Sequence, residues 1–195
     1  NGVPILRIGA VRSMALSLDD LRYSGINEDE LLAGDALLRP GDLLFTRYNG
    51  NPRFVGASAV VDDRKIPLTY PDKLIRVRLD LDLASPEFVC MAANYGRTRR
   101  EIEAKFKTSA GQVGISGREL KAISIALPGL AQQREAVARI RPALDAASRL
   151  QVAADIAVRR AQGLRRGILS AAFEGKLTGR HTDAEVIEEL ADAQR

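Results

Sequence analysis

The chain has 195 residues, 46% hydrophobic and 28% charged, the balance of a globular domain with a real core and room for an appendage. Tryptophan is absent, aromatics are 5% and the formal net charge is +4, so a nucleic-acid surface cannot rest mainly on base stacking, and the mildly basic balance is compatible with a polyanionic partner but weak alone. One cysteine, Cys90, excludes an internal disulfide framework and fits a reducing cytoplasm. No apolar run approaches the roughly 20 residues that span a bilayer, so no membrane partner is expected, and no signal peptide opens the chain. It starts at Asn1-Gly2, directly before a strand-like segment, which reads as a piece cut from something longer.

In chain order, Pro4 to Ile8 predicts a short strand, and Asp19 to Leu32 a loop with a short helix. Arg39-Pro40-Gly41-Asp42 is a turn signal, followed by a strand over Leu43 to Thr46. Arg47 to Arg53 is a loop of turn formers. Phe54 to Val61 and Leu74 to Leu79 predict two further strands. The connections are too short for helical crossovers, so the sheet is expected to be antiparallel or mixed. Ser85-Pro86-Glu87 is an N-cap with proline at the first helical position. A helix follows over Phe88 to Tyr95, stopped by Gly96, and within it Cys90 reads as core. Thr98 to Phe106 predicts a second, basic helix, Thr108 to Gly114 a flexible loop, Ser116 to Leu120 one helical turn, and Ala122 to Leu127 a last strand closed by Pro128.

From Leu130 to Ala172 one helix dominates, roughly 60 Å at the α-helical rise. Ile140, Ala147, Ala154, Ala161 and Ile168 are each seven apart; Ala143, Leu150, Ala157, Leu164 and Ala171 interleave with them at alternating three and four. That is an apolar a/d seam, and such a helix needs a partner to bury its stripe. The partner is a second helix in a coiled coil or the side of its own domain. Pro142 lies inside the run and predicts a bend between a short lead-in helix and the main arm. The expected fold is α+β: a mixed or antiparallel twisted sheet with flanking helices, then a long helix forming a coiled coil. Residues 1–128 form the domain with the sheet, its N-terminal part missing, 129–178 the coiled-coil helix and 179–195 a polar, possibly helical tail.

Few residues suggest catalysis. Asn51-Pro52-Arg53-Phe54 resembles the N-P-P-F/Y loop of amino-methyltransferases, but arginine replaces the second proline and no glycine loop for a nucleotide-like cofactor stands anywhere. Pro71-Asp72 with Glu119-Leu120-Lys121 echoes a P-D…E-x-K nuclease signature at long separation. The only histidine, His181, lies in the polar tail, and the chain lacks the His and Cys for a metal site. No convergent acid/base pair is visible, so no catalytic residues and no metal are expected. DNA binding fares better. The loop at Arg47, Tyr48, Asn49, Asn51 and Arg53 carries guanidinium and amide groups that suit guanine and adenine edges. Arg97, Arg99, Arg100, Lys105 and Lys107 crowd the basic helix and its ends, and Thr108, Ser109 and Gln112 form a second polar tip. The alternatives are turn chemistry for the loops and a solvated face for the helix.

Pro128-Gly129-Leu130-Ala131-Gln132-Gln133 resembles the P-x-L-x-[EQ]-Q motif that closes a target recognition domain, and Ala172-Phe173-Glu174-Gly175-Lys176-Leu177 the A-F-x-G-x-L motif that ends a conserved spacer helix. Arg39-Pro40-Gly41-Asp42-Leu43-Leu44 and Val55-Gly56 fit the same recognition domain. With the heptad helix between them, these motifs make the chain similar to the C-terminal half of the specificity (S) subunit of a Type I restriction–modification enzyme. The resemblance implies that the chain reads one half of a split double-stranded DNA site, and that its spacer helix packs antiparallel against a second one, in cis or from another copy, as an antiparallel coiled coil that sets the gap between half-sites. It also implies that catalysis belongs to partners: methyltransferase (M) subunits using S-adenosylmethionine, and restriction (R) subunits using ATP and Mg. The alternative function is a coiled-coil scaffold that assembles subunits without reading DNA.

Overall fold

A computed structural model describes residues 2–63, 65–109 and 111–177. It divides into two compact units, Asn1–Arg139 and Ile140–Arg195. The strands of the first unit are β1 (Pro4–Ile5), β2 (Val11–Arg12), β3 (Ala15–Leu16), β4 (Arg22–Tyr23), β5 (Leu43–Thr46), β6 (Tyr48–Asn49), β7 (Ser58–Val60), β8 (Leu74–Val77), β9 (Lys107–Ser109) and β10 (Gln112–Gly114). Its helices are α1 (Glu28–Ala33), α2 (Pro86–Asn94), α3 (Gly96–Glu103) and α4 (Gly117–Lys121). The last helix, α5 (Leu130–Phe173), starts in the first unit and makes up the described part of the second apart from its closing turn.

Strand β5 organises the core. It pairs antiparallel with β7 on one side and β8 on the other, and all four of its residues are buried. Strand alternation sends Leu43 and Phe45 into one apolar cluster with Val89, Cys90, Ala93 and Ile102, and Leu44 into a second with Leu6, Val11, Leu68 and Leu74. The sheet is thus covered on both faces, which explains the unbroken apolar run Leu43-Leu44-Phe45. Helix α2 begins where Ser85 accepts a hydrogen bond from the Phe88 N–H, with Pro86 at N1. Its buried Asn94 accepts from the Ser58 N–H at 3.1 Å and donates to the Ser58 carbonyl at 2.8 Å, tying α2 to β7. Cys90 is fully buried, as its apolar neighbours predict.

Several of the quoted motifs have mechanical causes. In Arg39-Pro40-Gly41-Asp42, the Asp42 carboxylate is 1% exposed. It accepts from the Arg39 N–H at 2.9 Å, closing the turn, and from Arg78 at 2.8 and 3.0 Å. In Val55-Gly56, Gly56 has φ +65°, and a Cβ there would stand 2.7 Å from Ile102 Cγ2; only glycine allows both the turn and the close approach of α3. At the start of α5, Gln132 sits at N3 and accepts from the Gly129 N–H at 3.3 Å, the return half of a capping box. Gln133 is fully buried. At the far end, Gly175 has φ +71°. Its N–H reaches the Ala172 carbonyl at 3.1 Å and the Lys176 N–H reaches Ala171 at 2.9 Å, a Schellman termination that requires a left-handed residue at Gly175.

Five expectations need correction. Residues expected as a flexible loop over Thr108 to Gly114 form the β9–β10 hairpin. The segment Ala122 to Leu127 forms no strand, and Ala122 belongs to the turn that closes α4: Ile123 and Ile125 pack on the core, so its alternation reflects one buried face rather than a ladder. Phe54 to Val61 is a strand only over Ser58–Val60, because Asn51 caps a 3-10 turn over Pro52–Phe54. Gly96 separates α2 from α3 but also opens α3, which ends at Glu103. The short lead-in helix expected before Pro142 is not a separate element: α5 runs through Pro142 as one helix of 44 residues. The tail over 179–195, with His181, lies outside the described residues.

Candidate nucleic-acid interface

The two polar loops, more than fifty residues apart in sequence, meet in one three-stranded sheet of order β6-β10-β9. Tyr48 pairs with Gly114, which pairs with Lys107; Asn49 pairs with Val113, which pairs with Thr108. The backbone of Arg47 ties this sheet to the core. Its N–H donates to the Lys73 carbonyl at 2.9 Å and its carbonyl accepts from the Ile115 N–H at 2.8 Å. Arg47, Tyr48, Lys107 and Gln112 line an open cleft of about 390 Å³ together with Ser116 and Glu119. Gly114, with no side chain, leaves room between Tyr48 and Lys107.

Polar contacts fix the shape of this cleft. The Tyr48 hydroxyl donates to the Asp72 carboxylate at 3.3 Å, and Arg47 Nη1 to the Asp72 carbonyl at 3.4 Å. Lys107 Nζ lies 2.6 Å from Glu119 Oε1. Glu119 also accepts from the Ser116 N–H at 2.8 Å in a capping box that starts α4. The Lys107 ammonium first, and then the Ser116 N–H and hydroxyl, hold the Glu119 carboxyl down at about 2. The cleft therefore carries a formed ion pair throughout the neutral range.

The other sequence-selected residues divide into two groups. In the first loop, the Asn49 side-chain oxygen accepts from the Asn51 N–H at 2.9 Å and the Asn51 oxygen from the Arg53 N–H at 3.1 Å. Both side-chain oxygens thus do turn work, and a bidentate adenine contact would require breaking the turn. Arg53 is exposed on the 3-10 turn. The cations of α3 line none of the clefts of this face. Arg99 is taken up inside the fold: its side chain is 12% exposed, bridges to Glu103 at 2.7 Å and donates to the Val55 carbonyl at 2.8 Å. Arg97 pairs with Glu101 at 2.9 Å, while Arg100 and Lys105 are exposed. Thr108 is exposed on β9, and Ser109 stands opposite Gln112. Sequence reasoning missed Lys73, whose only signal is the turn Pro71-Asp72-Lys73, and named Asp72 only in the nuclease echo, whereas its contacts with Arg47 and Tyr48 put it beside the cleft.

On α5, the seam residues that carry the largest side chains are open to solvent: Leu150 is 72% and Leu164 68% exposed. Among the described residues no group of three or more His, Cys, Asp and Glu side chains is placed to hold a metal, and no helix is long and apolar enough to cross a membrane.

The first unit thus carries a polar cleft on a small sheet, and α5 carries an exposed apolar seam. No family model matches the chain. It is 38% identical over 178 residues to the Type I restriction enzyme EcoKI specificity subunit of Escherichia coli strain K12, covering 91% of this chain and 38% of that protein. It is 31% identical, over the same shares, to the StySPI specificity subunit of Salmonella potsdam. The chain belongs to the Type I restriction enzyme specificity subunits, and it spans 38% of the length of these two curated relatives. Solved structures share the fold at low identity. The HsdS subunit from Thermoanaerobacter tengcongensis superposes with a TM-score of 0.54 at 17% identity, over 90% of this chain and 40% of that one. A chain from a study of complex assembly and conformational transition of the type I R-M system gives 0.58 at 20% identity, over 90% and 39%.

Proposed function

We propose that this chain is the DNA-reading and spacing portion of such a subunit, directing a Type I restriction–modification complex to one half of a bipartite site. The observation that carries the reading is the convergence of Arg47, Tyr48, Lys107 and Gln112 on one open cleft, in a chain whose relatives are specificity subunits. Residues 1–128 hold the recognition surface, the helix over 129–178 acts as the spacer, and 179–195 is a tail. Lys107 and the exposed cations Arg97, Arg100 and Lys105 approach phosphates; Arg47, Arg53, Gln112 and the NH₂ groups of Asn49 and Asn51 approach base edges. The chain performs no chemistry itself. Methyltransferase subunits with S-adenosylmethionine and restriction subunits with ATP and Mg supply it, in the cytoplasm, on double-stranded DNA. The exposed seam takes a second spacer helix, in cis or from another copy.

Replacing Arg47 and Arg53 together by alanine tests the reading. Loss of guanidinium contacts to bases is expected to weaken binding to the cognate site by at least about tenfold, from roughly 1–3 kcal/mol per specific contact, with a smaller loss on unrelated DNA. Titrations on both DNAs at fixed salt measure this. Equal losses on the two would restrict these arginines to phosphates. The coiled-coil scaffold, which the exposed seam also suits, requires no sequence preference in the unmodified protein.

A further inference from the structure

The cleft beside Tyr48 does not end there. A second cleft, about 250 Å³, is lined by Ile8, Tyr48, Asn49, Gly50, Lys73 and Gln112. It shares Tyr48 and Gln112 with the first. A third, about 230 Å³, shares Ile8 and Lys73 with the second and adds Arg7 and Arg22. The three form one continuous furrow across the first unit, with Lys73 at the middle junction.

Its cations differ in availability. Lys107 is paired with Glu119 at 2.6 Å and Arg7 with Asp20 at 2.7 Å. Lys73 and Arg22 are exposed, and neither side chain has a partner among the described residues. Both are held on fixed backbone. The Lys73 carbonyl takes the Arg47 N–H. Arg22 stands opposite Ile5 in the β1–β4 pair, and the Leu6 N–H reaches the Thr69 carbonyl at 3.0 Å, joining that pair to the segment leading to Lys73. Two unneutralised cations on hydrogen-bonded backbone, lining a furrow that leads from the Tyr48–Gln112 cleft, suit a ligand with anions repeated along its length.

We infer that Lys73 and Arg22 are phosphate contacts that extend the DNA interface from the Tyr48–Gln112 cleft along this furrow, adding affinity without reading bases. This rests on the DNA-recognition reading above. A lysine ammonium is a point charge without the planar fork that reads guanine, and each phosphate neutralised releases counterions.

The test is the Lys73→Ala, Arg22→Ala double variant in the complete protein assembled with its methyltransferase partner. DNA binding is measured from about 50 to 200 mM salt on cognate and unrelated DNA, and the methylated motif is mapped in parallel. The log–log salt slope should become shallower by about 2, at roughly 0.9 per phosphate contact. Affinity should fall by a similar factor on both DNAs, with the motif unchanged. Lys73→Arg, Arg22→Lys, which keeps both charges, should retain the original slope. An unchanged slope in a double variant that binds its site overturns the inference, as does a loss confined to cognate DNA. If instead the furrow receives an acidic surface of a partner subunit, assembly weakens while the salt slope on DNA stays the same, which also overturns it. Failure of the unmodified protein to bind DNA refutes the underlying reading instead, and is seen before any variant is made.

Discussion

Gln133→Ala is expected to lower the stability of the first unit by about 3 kcal/mol, since each buried polar group left without a partner costs roughly 1–3 kcal/mol. The side chain is fully buried and spends its hydrogen-bonding capacity on three backbone groups. Its oxygen accepts from the Ser85 N–H at 2.8 Å, and its NH₂ donates to the carbonyls of Leu83 at 2.9 Å and Pro128 at 2.7 Å. It therefore joins the first turn of α5 to the residue that caps α2. Alanine leaves all three backbone groups facing a void that excludes most water. A loss of that size corresponds to a fall in melting temperature of roughly 10 °C for a unit of this length. Gln132→Ala, which removes only the exposed capping contact to Gly129, should cost about 1 kcal/mol or less. Thermal melting of the two variants side by side measures the difference. Equal, small shifts would mean that water replaces the Gln133 amide, and that the paired glutamines do not divide into cap and clamp as described.

Leu150→Asp and Leu164→Asp are expected to abolish helix pairing through α5 while leaving the first unit folded. Most seam positions are alanine, so Leu150 and Leu164, with Ile140 and Ile168, supply the bulk that a partner helix can cover, and the two leucines are the most exposed of the four in the single chain. In a closed seam each aspartate would be an unpaired buried charge, costing about 3 kcal/mol or more, so association should weaken by over a hundredfold. Sedimentation at several concentrations reads the association, and near-ultraviolet circular dichroism reads the packing around the tyrosines. Unchanged association would place the interface elsewhere. Collapse of the whole fold would show instead that this stripe is part of the domain core.

Much of this was legible in the sequence because local chemistry decides it. Ser85-Pro86 caps α2 by side chain and fixed φ, Ser116 and Glu119 form a reciprocal cap, and Gly175 ends α5 because a left-handed residue is needed there. In the central sheet, β8 is legible from alternation, and β5 from the turn Arg39-Pro40-Gly41-Asp42 that precedes an apolar run. What the sequence hid depends on pairing at a distance. The hairpin of β9 and β10 looks like a loop because Thr108 to Gly114 is rich in turn formers; its strands are set by β6, which lies more than fifty residues away. Ala122 to Leu127 misleads in the opposite sense, since alternation reports one buried face and says nothing of a neighbouring ladder. At the interface, Arg47 and Gln112 were chosen as separate tips, and the fold joins them. Arg99 was chosen for its charge, yet its stem and guanidinium pack against Phe106 and the Val55 carbonyl, a burial that no run of basic residues reveals. Lys73 and Arg22 are isolated in sequence and acquire meaning only from the furrow they share.

The central claim is that this chain chooses where a methyltransferase acts. Long-read sequencing of genomic DNA tests it most directly, in a host carrying the complete protein with its methyltransferase partner, before and after deletion of the segment described here. The account predicts methyladenine at a bipartite motif with a fixed gap, and loss of that motif on deletion. A methylated motif that persists without this segment, or no dependent motif in the presence of a methyltransferase shown to be active, would contradict it.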